Sequence, residues 1–394
     1  MISQRQLFQQ HVAQTSPAPM MLEIVSAEGC YLTDVQGKKY IDFISGISVS
    51  NIGHRHPKVV AAIKEQVDLY MHLMVYGEYV QSPQVKLATH LASLLKPIDS
   101  FYFVNSGSEA IEGVIKLARR ATGRKKIIAC KNAYHGSTMG AISLMSNEYF
   151  KQAYHPLLPD VAFIEFNNIE SLEIIDGNTA CVITEIIQAE AGVITPNEDF
   201  LNALQIKCRT AGALLAVDEI QTGFGRTGPL FAFMKHSLQP DIIAMAKGMG
   251  GGMPIGAFAA SKELMQSLSD NPVLGHITTF GGHPVSCAAS LATLNVLMNT
   301  GILSETENNS QYIKSLLQHK EIISITGEGL LLGLQFDSAE KNHRIINECI
   351  SNGLITDWFL YNETKMRLAP PLTITKEEIK TACVILLKSI DAVA

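Results

Sequence analysis

The chain has 394 residues, of which 47% are hydrophobic and 17% charged, so it can bury a large core and is too apolar to be a disordered protein. The 31 basic residues against 37 acidic ones give a net charge of −6, and no basic run is interleaved with aromatic residues, which argues against nucleic acid as a partner. Because the seven cysteines form no C-x-x-C pair and no signal-like or membrane-spanning apolar run occurs, we expect reduced thiols in a cytoplasmic protein that contacts no membrane.

The N-terminal part predicts a small hairpin followed by helices. Strand-like pieces lie near residues 30–32 and 40–43, with a turn at Gln36-Gly37 between them. Apolar residues then recur at helical spacing over residues 57–69 and 84–95. Both segments are predicted to be amphipathic helices.

Short apolar runs alternate with helical stretches from residue 101 onwards. Seven such runs occur, at residues 101–104, 126–130, 161–166, 181–184, 213–217, 242–246 and 256–260. This alternation predicts an α/β fold with a mostly parallel seven-stranded sheet covered by helices on both faces. The helix after the first run has the capping box Ser106-x-x-Glu109 and is predicted to end near Gly123.

Beyond about residue 285 the pattern predicts a smaller α+β unit. A helical run covers residues 286–299, and strand candidates lie at residues 330–336 and 366–368. The capping box Thr375-x-x-Glu378 predicts the start of the last helix. The chain shows no internal repeat and no long linker.

Four features follow strands of the predicted sheet, where open α/β sheets form their ligand crevice. Lys247 follows a buried run and is a candidate nucleophile, and Asp218 follows the preceding run. The turn Asn105-Ser-Gly-Ser-Glu109 opens a helix whose N–H groups could hold a phosphate, and Tyr134 could stack on a ring. Each has a plain structural alternative: a snorkelling lysine, a polar strand end, an ordinary helix cap, a packed aromatic residue.

Taken together, these features match the needs of pyridoxal phosphate: an anchored phosphate, a protonated pyridine nitrogen, a flat partner for the ring and an amine for a Schiff base. Other ligands fit less well. Gly223-Phe-Gly225-Arg-Thr-Gly228 spells a dinucleotide motif, but Pro229 and an apolar stretch follow it instead of a helix. The Lys247 loop lacks the G-K-[ST] of a phosphate-binding P-loop, and His54-x-His56 has no accompanying ligand pattern, so no metal is predicted.

Eight sequence blocks, in order and spanning nearly the whole chain, resemble those of the class III aminotransferases, the group that contains ornithine and acetylornithine aminotransferases. The blocks are Gly53-His-Arg-His-Pro57, Asn105-Ser-Gly-Ser-Glu-Ala110, Tyr134-His-Gly136, Glu185-Ile-Ile-Gln-Ala-Glu-Ala-Gly192, Asp218-Glu-Ile-Gln-Thr-Gly-Phe-Gly-Arg-Thr-Gly228, Ala246-Lys-Gly248, Thr279-Phe-Gly-Gly-His-Pro284 and Arg367-Leu-Ala-Pro-Pro371. The resemblance implies the pyridoxal-phosphate cofactor and the fold-type I transferase fold. We therefore predict a large cofactor-binding domain at residues 51–285 and a small domain at residues 286–394, with residues 1–50 contributing to the small domain and the substrate pocket.

The resemblance also implies roles for individual residues. Lys247 would form the Schiff base and carry the proton, and Asp218 would keep the pyridine nitrogen protonated. The expected cofactor-binding residues are Ser106, Gly107 and Ser108 at the phosphate, Tyr134 on the ring face with His135 beside it, Gln221 at the ring hydroxyl, and Thr279 from the neighbouring subunit. A shared site of this kind implies a homodimer.

For the substrates, the resemblance makes Arg367 the clamp for the α-carboxylate of glutamate and Glu190 the acid that pairs with it when an amine donor is bound. Ile47 is expected in the substrate pocket, where acetylornithine and aminobutyrate enzymes carry the same residue. Many members also have an arginine that grips the donor's distal carboxylate, and this chain has Ser137 there. Losing such a guanidinium would cost about 2–4 kcal/mol, enough to change which donor is used.

The sequence thus predicts a ping-pong aminotransferase that moves a terminal amino group from an ornithine- or acetylornithine-like donor to 2-oxoglutarate. Gly282-His-Pro284 resembles ω-amine:pyruvate transaminases instead, which keeps that activity open. An aminomutase and a dialkylglycine-type decarboxylase are further enzyme alternatives. A non-catalytic relative of the same fold is the alternative from another class, against which the intact Lys247 and Asp218 argue.

Overall fold

The computed structural model describes residues 2–236 and 238–393. Residues 1 and 394, which bound the predicted N-terminal segment and the predicted small domain, lie outside the described residues, as does residue 237. Helix α1 (Gln4–His11) precedes three antiparallel strands, β1 (Ile24–Glu28), β2 (Tyr31–Asp34) and β3 (Lys39–Asp42). Strands β2 and β3 form the predicted hairpin, and β1 was not predicted. The Asp34 carboxylate fixes the turn by accepting the N–H groups of Gln36 and Lys38, both at 2.9 Å.

The segment after the hairpin begins with a strained turn and continues into the two predicted helices. The turn α2 (Ser45–Ser48) has positive φ at all four residues, between 52° and 63°, although only one of them is glycine. Such a left-handed run is costly and is expected where a loop is held for function. Helices α3 (Pro57–Leu69) and α4 (Ser82–Leu94) follow, each with a proline in its first turn.

The centre of the fold is the predicted seven-stranded sheet. Its order is β4-β10-β9-β8-β7-β5-β6, and only β10 runs against its neighbours. The strands are β4 (Ser100–Val104), β5 (Lys126–Cys130), β6 (Val161–Ile164), β7 (Thr179–Glu185), β8 (Leu214–Asp218), β9 (Ile242–Met245) and β10 (Gly256–Ala260). The predicted mostly parallel α/β sheet is confirmed, with strand ends shifted by one or two residues.

Helices cover both faces of this sheet. They are α5 (Gly107–Thr122), α6 (Met139–Ser143), α7 (Glu198–Ala211) and α8 (Lys262–Met265), with single 3₁₀ turns at Glu148–Phe150, Gln152–Tyr154, Glu170–Ile174, Ala232–Lys235, Lys247–Gly250 and Gln266–Leu268. Helix α5 begins and ends as predicted, with Ser106 as its cap and Gly123 in the left-handed conformation after it. The Glu109 carboxylate accepts the N–H of Asn105 instead of Ser106, so the predicted capping box is displaced by one residue at its acidic end.

The C-terminal part combines helices with a four-stranded antiparallel sheet, ordered β11-β12-β15-β14. Its elements are α9 (Pro284–Asn299), α10 (Ile302–Leu316), β11 (Ser324–Glu328), β12 (Leu331–Gln335), α11 (Ala339–Ser351), β13 (Leu354–Ile355), β14 (Asp357–Phe359), β15 (Asn362–Leu368) and α12 (Lys376–Val393). The Thr375–Glu378 capping box opens α12 as predicted. Strand β13 pairs with β3, so residues from both ends of the chain share one sheet.

Two further sequence expectations concern cysteines and membranes. All seven cysteines are buried and carry free thiols. Within the described ranges, no single helix is long and apolar enough to cross a membrane, and only the pair α9 and α10, bent by 69°, reaches that length and composition together.

Candidate active site

A cavity of about 430 Å³ lies at the carboxyl ends of the central strands. This is where the sequence placed a ligand crevice, because the ends of parallel strands meet at one edge of a sheet. The structure brings eight of the predicted residues to its wall: Ser106, Gly107, Ser108, Tyr134, His135, Asp218, Gln221 and Lys247. A cavity of this size and lining can hold a small, ring-bearing ligand.

Lys247 begins the 3₁₀ turn that follows β9, two residues beyond the end of the strand. Its Nζ donates to Gln221 Oε1 at 2.9 Å. Its backbone has φ of 48°, a strained value for a residue with a side chain, and strain of this kind concentrates at functional sites. Burial lowers the pKa of the Lys247 amine, although the carboxylate of Glu190 acts in the opposite direction, so the nucleophilic neutral form is favoured relative to a lysine in water.

Asp218 ends strand β8 and is held by a histidine. Its Oδ2 lies 2.7 Å from Nδ1 of the fully buried His135 side chain, and its Oδ1 accepts the N–H of Ile220 at 2.9 Å. Glu185 is its register partner on β7. Burial and the charge of Asp218 raise the pKa of Glu185, which favours the neutral form of Glu185.

The turn before α5 forms a cradle that glycines keep open. The N-terminus of this 16-residue helix, which carries the positive end of the helix dipole, lies at the cavity wall. A Cβ on Gly136 would lie 2.1 Å from Ser108 Oγ, and a Cβ on Gly107 would lie 2.9 Å from the Ile220 side chain. Side chains at these positions would fill the cradle, so its shape depends on both glycines.

Arg367 and Glu190 form a buried ion pair, with Arg367 Nη2 and Glu190 Oε2 2.9 Å apart. Burial is the largest single influence and raises the pKa of Glu190, but the charge of Arg367, the hydrogen bond from the Leu360 N–H and the charge of Lys247 together outweigh it, so the net shift is downward. Both charges also act on the Lys247 amine, which places the pair beside the cavity. A second acid, Asp357 on β14, lies with its Oδ1 3.1 Å from Arg367 Nε.

Five predicted residues do not line the cavity: Glu190 and Arg367, whose ion pair is described above, and Ile47, Ser137 and Thr279. Ile47 is 40% exposed on the left-handed turn α2. Ser137 is exposed, donates its N–H to Ser108 Oγ at 3.3 Å, and has its hydroxyl 3.2 Å from that of Tyr134. Thr279 is exposed at the surface of its own chain, where its carbonyl lies 2.8 Å from His72 Nε2. Its predicted contribution across a dimer interface stays a prediction.

The two histidines considered as half of a metal site have structural partners. His54 Nε2 lies 2.8 Å from Asp42 Oδ2, and His56 caps helix α3 by accepting the N–H of Lys58. In the part of the chain that the structure describes, no group of three or more histidine, cysteine or acidic residues is placed to hold a metal ion.

A family model described as aminotransferase class-III matches residues 12–390. The chain belongs to the class III aminotransferases. It is 40% identical to the acetylornithine aminotransferase of Archaeoglobus fulgidus over 379 residues, which are 96% of this chain and 97% of that protein. The family resemblance drawn from the eight blocks is thereby confirmed.

Solved structures of aminotransferases share the whole fold. The ornithine aminotransferase of Toxoplasma gondii superposes with a TM-score of 0.92 at 30% identity, covering 98% of this chain and 94% of that one. An amine transaminase from an uncultivated Pseudomonas species, solved in its PLP-bound form, gives a TM-score of 0.90 at 26% identity and 98% coverage of both chains. Class III aminotransferases depend on pyridoxal phosphate, so family membership confirms the predicted cofactor.

The residues around the cavity of this class III aminotransferase fit that cofactor. The glycine-lined helix N-terminus suits a phosphate, the His135-supported carboxylate of Asp218 suits a protonated ring nitrogen, and the buried amine of Lys247 suits a Schiff base. Sequence reasoning missed two acids close to this constellation. Glu185 begins one of the eight family blocks, but no role was predicted for it. Asp357 lies on a three-residue strand whose sequence shows no alternation of polar and apolar residues.

Replacing Gly136 by alanine should weaken cofactor binding about tenfold or more. Gly136 has φ of 122° and its Cβ would collide with Ser108, so the change strains the backbone and pushes Ser108 out of the cradle. Titration of the cofactor-free protein with pyridoxal phosphate, followed by absorbance, measures the effect. Gly177→Ala is a matched control, because a Cβ there meets nothing within 4 Å. Equal affinities for both variants would contradict the cradle assignment.

Proposed function

We propose that this class III aminotransferase moves a terminal amino group from an amino-acid or amine donor to 2-oxoglutarate by a ping-pong mechanism, as a cytoplasmic homodimer. The observation that carries the proposal is the Glu190–Arg367 pair, 2.9 Å apart and beside Lys247. A pocket in which Glu190 can pair with Arg367, or leave it free to bind a carboxylate, suits two substrates that differ in charge.

Ser106, Gly107, Ser108, Tyr134, His135, Asp218, Gln221 and Lys247 would hold the cofactor. When bound, pyridoxal phosphate supplies an electron sink that stabilises negative charge on the substrate carbon. Asp218 maintains this property by keeping a proton on the ring nitrogen, and His135 holds the carboxylate in place at 2.7 Å. The Lys247 amine takes the proton from the substrate carbon that bears the amino group and returns it in the second half of the cycle.

The Glu190–Arg367 pair supports alternating substrates. With a primary amine in the site, Glu190 neutralises Arg367, so no unpaired cation is left buried. With a dicarboxylate in the site, Glu190 turns away and the guanidinium binds the substrate's carboxylate. This exchange favours 2-oxoglutarate as acceptor, since the arginine is then offered an anion.

An ω-amine:pyruvate transaminase is the second candidate function. The exposed Ser137 offers no charge to a donor carboxylate, and an amine transaminase is among the solved structures that this chain resembles. Donors without a distal carboxylate therefore deserve equal testing.

The test is a half-reaction screen of the purified holoenzyme. Each donor is added without acceptor, and loss of the cofactor's absorbance reports amino transfer; 2-oxoglutarate or pyruvate is then added to restore it. The proposal expects a terminal amine donor to react and 2-oxoglutarate to restore the absorbance faster than pyruvate. Faster restoration by pyruvate would replace it with the second candidate, and no reaction with any amine would reject both.

Ser137→Arg should shift donor preference towards donors with a distal carboxylate, such as N-acetylornithine, by roughly tenfold or more in kcat/KM relative to an uncharged amine. Ser137 is exposed beside Ser108 and Tyr134, so an arginine can be accommodated without displacing core residues. Ser137→Gln is the control, because it adds length without charge. If Ser137→Arg and Ser137→Gln have the same donor ratios, position 137 does not contact the donor.

A further inference from the structure

The guanidinium of Arg367 is contacted by two acids that are held in different ways. Arg367 Nη2 lies 2.9 Å from Glu190 Oε2, and Arg367 Nε lies 3.1 Å from Asp357 Oδ1. The arginine is 2% exposed, and its Nε and Nη1, like Asp357 Oδ1, are buried without a hydrogen-bond partner among the described residues, so Asp357 meets the guanidinium as an ion pair. One edge of the guanidinium is thus shared with Glu190, and the Nε corner faces Asp357.

Asp357 cannot leave Arg367 as easily as Glu190 can. Asp357 and Arg367 are direct register partners on the antiparallel strands β14 and β15, so the backbone ladder fixes their separation. The same strand also supplies the Trp358 carbonyl, which accepts from Arg367 Nη2 at 3.2 Å, and the Phe359 ring, 4.7 Å from the guanidinium carbon. Strand β14 therefore holds the arginine from one side.

Glu190 is held by contacts that a side-chain rotation can release. It lies in the segment after β7, outside any strand, and its Oε2 accepts from both Arg367 and the Leu360 N–H, the latter at 3.0 Å. Rotation of Glu190 would break only these side-chain contacts, because the backbone bond from Tyr361 N–H to the Glu190 carbonyl is independent of it.

We propose that Asp357 is a positioning residue for the acceptor half-reaction: it is the fixed acid beside Arg367, which stays when Glu190 turns away and keeps the Nη1–Nη2 edge directed at the acceptor's carboxylate. This rests on the proposed function, in which Arg367 binds the acceptor. A buried arginine that lost its only acid would be strongly destabilised, and a second, fixed acid avoids that state.

Asp357 lowers the affinity of Arg367 for the acceptor, because its carboxylate attracts the same guanidinium charge as the acceptor's carboxylate does. The groups that face Asp357 are Arg367, Glu190 and Asp42, the last paired with His54; His343 on α11 packs against the neighbouring Trp358. Burial raises the pKa of Asp357 to about 6, with Glu190 and Asp42 adding to the rise and Arg367 opposing it. Above this pH Asp357 is anionic and weakens acceptor binding, and below it Asp357 is neutral.

The experiment measures KM for 2-oxoglutarate against pH in the holoenzyme. In the wild type, KM should fall by about threefold to tenfold as the pH drops through about 6. Asp357→Asn keeps a polar side chain of the same size beside Arg367 Nε and removes the charge, so its KM should be low at all pH values, without the inflection. Asp357→Leu removes both, so the guanidinium loses its orientation and KM should rise by about tenfold or more.

The rate of the donor half-reaction distinguishes a loss of Arg367 positioning from a general loss of structure in the active site. Because Glu190 covers Arg367 in that half, its rate should change less than about twofold in Asp357→Asn. Glu363→Gln is the matched control, since Glu363 is an exposed carboxylate on β15 that is 3.5 Å from His343. Its KM and pH profile should equal those of the wild type.

The proposal is wrong if Asp357→Asn keeps the wild-type KM and inflection, or if Asp357→Asn and Asp357→Leu lose acceptor binding equally. A wild type that transfers no amino group to 2-oxoglutarate would instead contradict the proposed function. In that case KM is measured for the 2-oxo acid that the enzyme does use, because every such acid presents a carboxylate to Arg367.

Discussion

Lys247→Ala is expected to reduce amino transfer by on the order of 10⁴-fold or more. The change removes the amine that we propose forms the Schiff base and moves the substrate proton, and each of these contributions is large in enzymes that use them. Gln221, the partner of Lys247 Nζ, cannot replace the amine, because its side-chain amide does not accept a proton at neutral pH. The loss should appear in kcat of both half-reactions.

The measurement is a single-turnover half-reaction with saturating donor, together with borohydride treatment of the holoenzyme. Borohydride should attach the cofactor covalently to wild-type Lys247 and leave the variant unlabelled. Lys376→Ala, which removes an exposed lysine at the start of α12, should label and react as the wild type does. Wild-type turnover by Lys247→Ala would remove the basis of the proposed mechanism.

The position of Lys247 illustrates what sequence can predict. Its strand is a short apolar run, and the edge at which parallel strands end is common to all of them, so residues that follow different strands meet without any pairing having to be known. Asp218 and the turn before α5 were predictable for the same reason. The left-handed backbone of Lys247 was not, because it depends on how the 3₁₀ turn packs.

Contacts that depend on tertiary pairing were beyond sequence reasoning. His135 and Asp218 are 83 residues apart, and only the fold brings Nδ1 and Oδ2 to 2.7 Å. Asp357 reaches Arg367 through the register of β14, a strand of three residues in which Trp358 and Phe359 give no alternation of polar and apolar residues. A dimer contact such as that predicted for Thr279 requires the partner subunit.

The motif Gly223-Phe-Gly225-Arg-Thr-Gly228 shows how a sequence pattern acquires a different meaning in its fold. Gly225 and Gly228 have φ of 87° and 110°, and a Cβ on Gly225 would lie 2.5 Å from Leu303. The glycines therefore serve tight packing and turns. A 3₁₀ turn, Ala232–Lys235, is the first helical element after the motif, so the dinucleotide interpretation is excluded structurally as well.

Arg226, inside this motif, is the residue whose loss should destabilise the protein most. Its guanidinium is fully buried, with Nη1 donating to the carbonyls of Leu330 at 2.9 Å and Pro370 at 2.6 Å, and Nη2 donating to Asn51 Oδ1 at 2.6 Å. Burial lowers its pKa to about 9, so it still carries its charge at neutral pH. One side chain thereby joins the N-terminal part, the large sheet and the C-terminal part.

Arg226→Ala should lower the free energy of unfolding by about 3–5 kcal/mol, because it leaves three buried oxygens without their donor and opens a cavity. Thermal unfolding monitored by circular dichroism should show an apparent Tm lower by roughly 4–6 °C. Arg344→Ala, at an exposed position on α11, should change the free energy of unfolding by less than about 0.5 kcal/mol. Similar Tm values for the two variants would show that the buried network contributes little.

The same network reaches Lys247, the proposed catalytic lysine. Asn51, which accepts from Arg226, donates through Nδ2 to the Phe224 carbonyl at 3.0 Å, and a Cβ on Gly248, the residue after Lys247, would lie 2.4 Å from that Nδ2. Losing Arg226 frees Asn51 to move against the strained turn that presents Lys247. We therefore expect Arg226→Ala, assayed well below its own Tm, to lose activity about tenfold as well as stability. Full activity of the folded variant would confine Arg226 to a structural role.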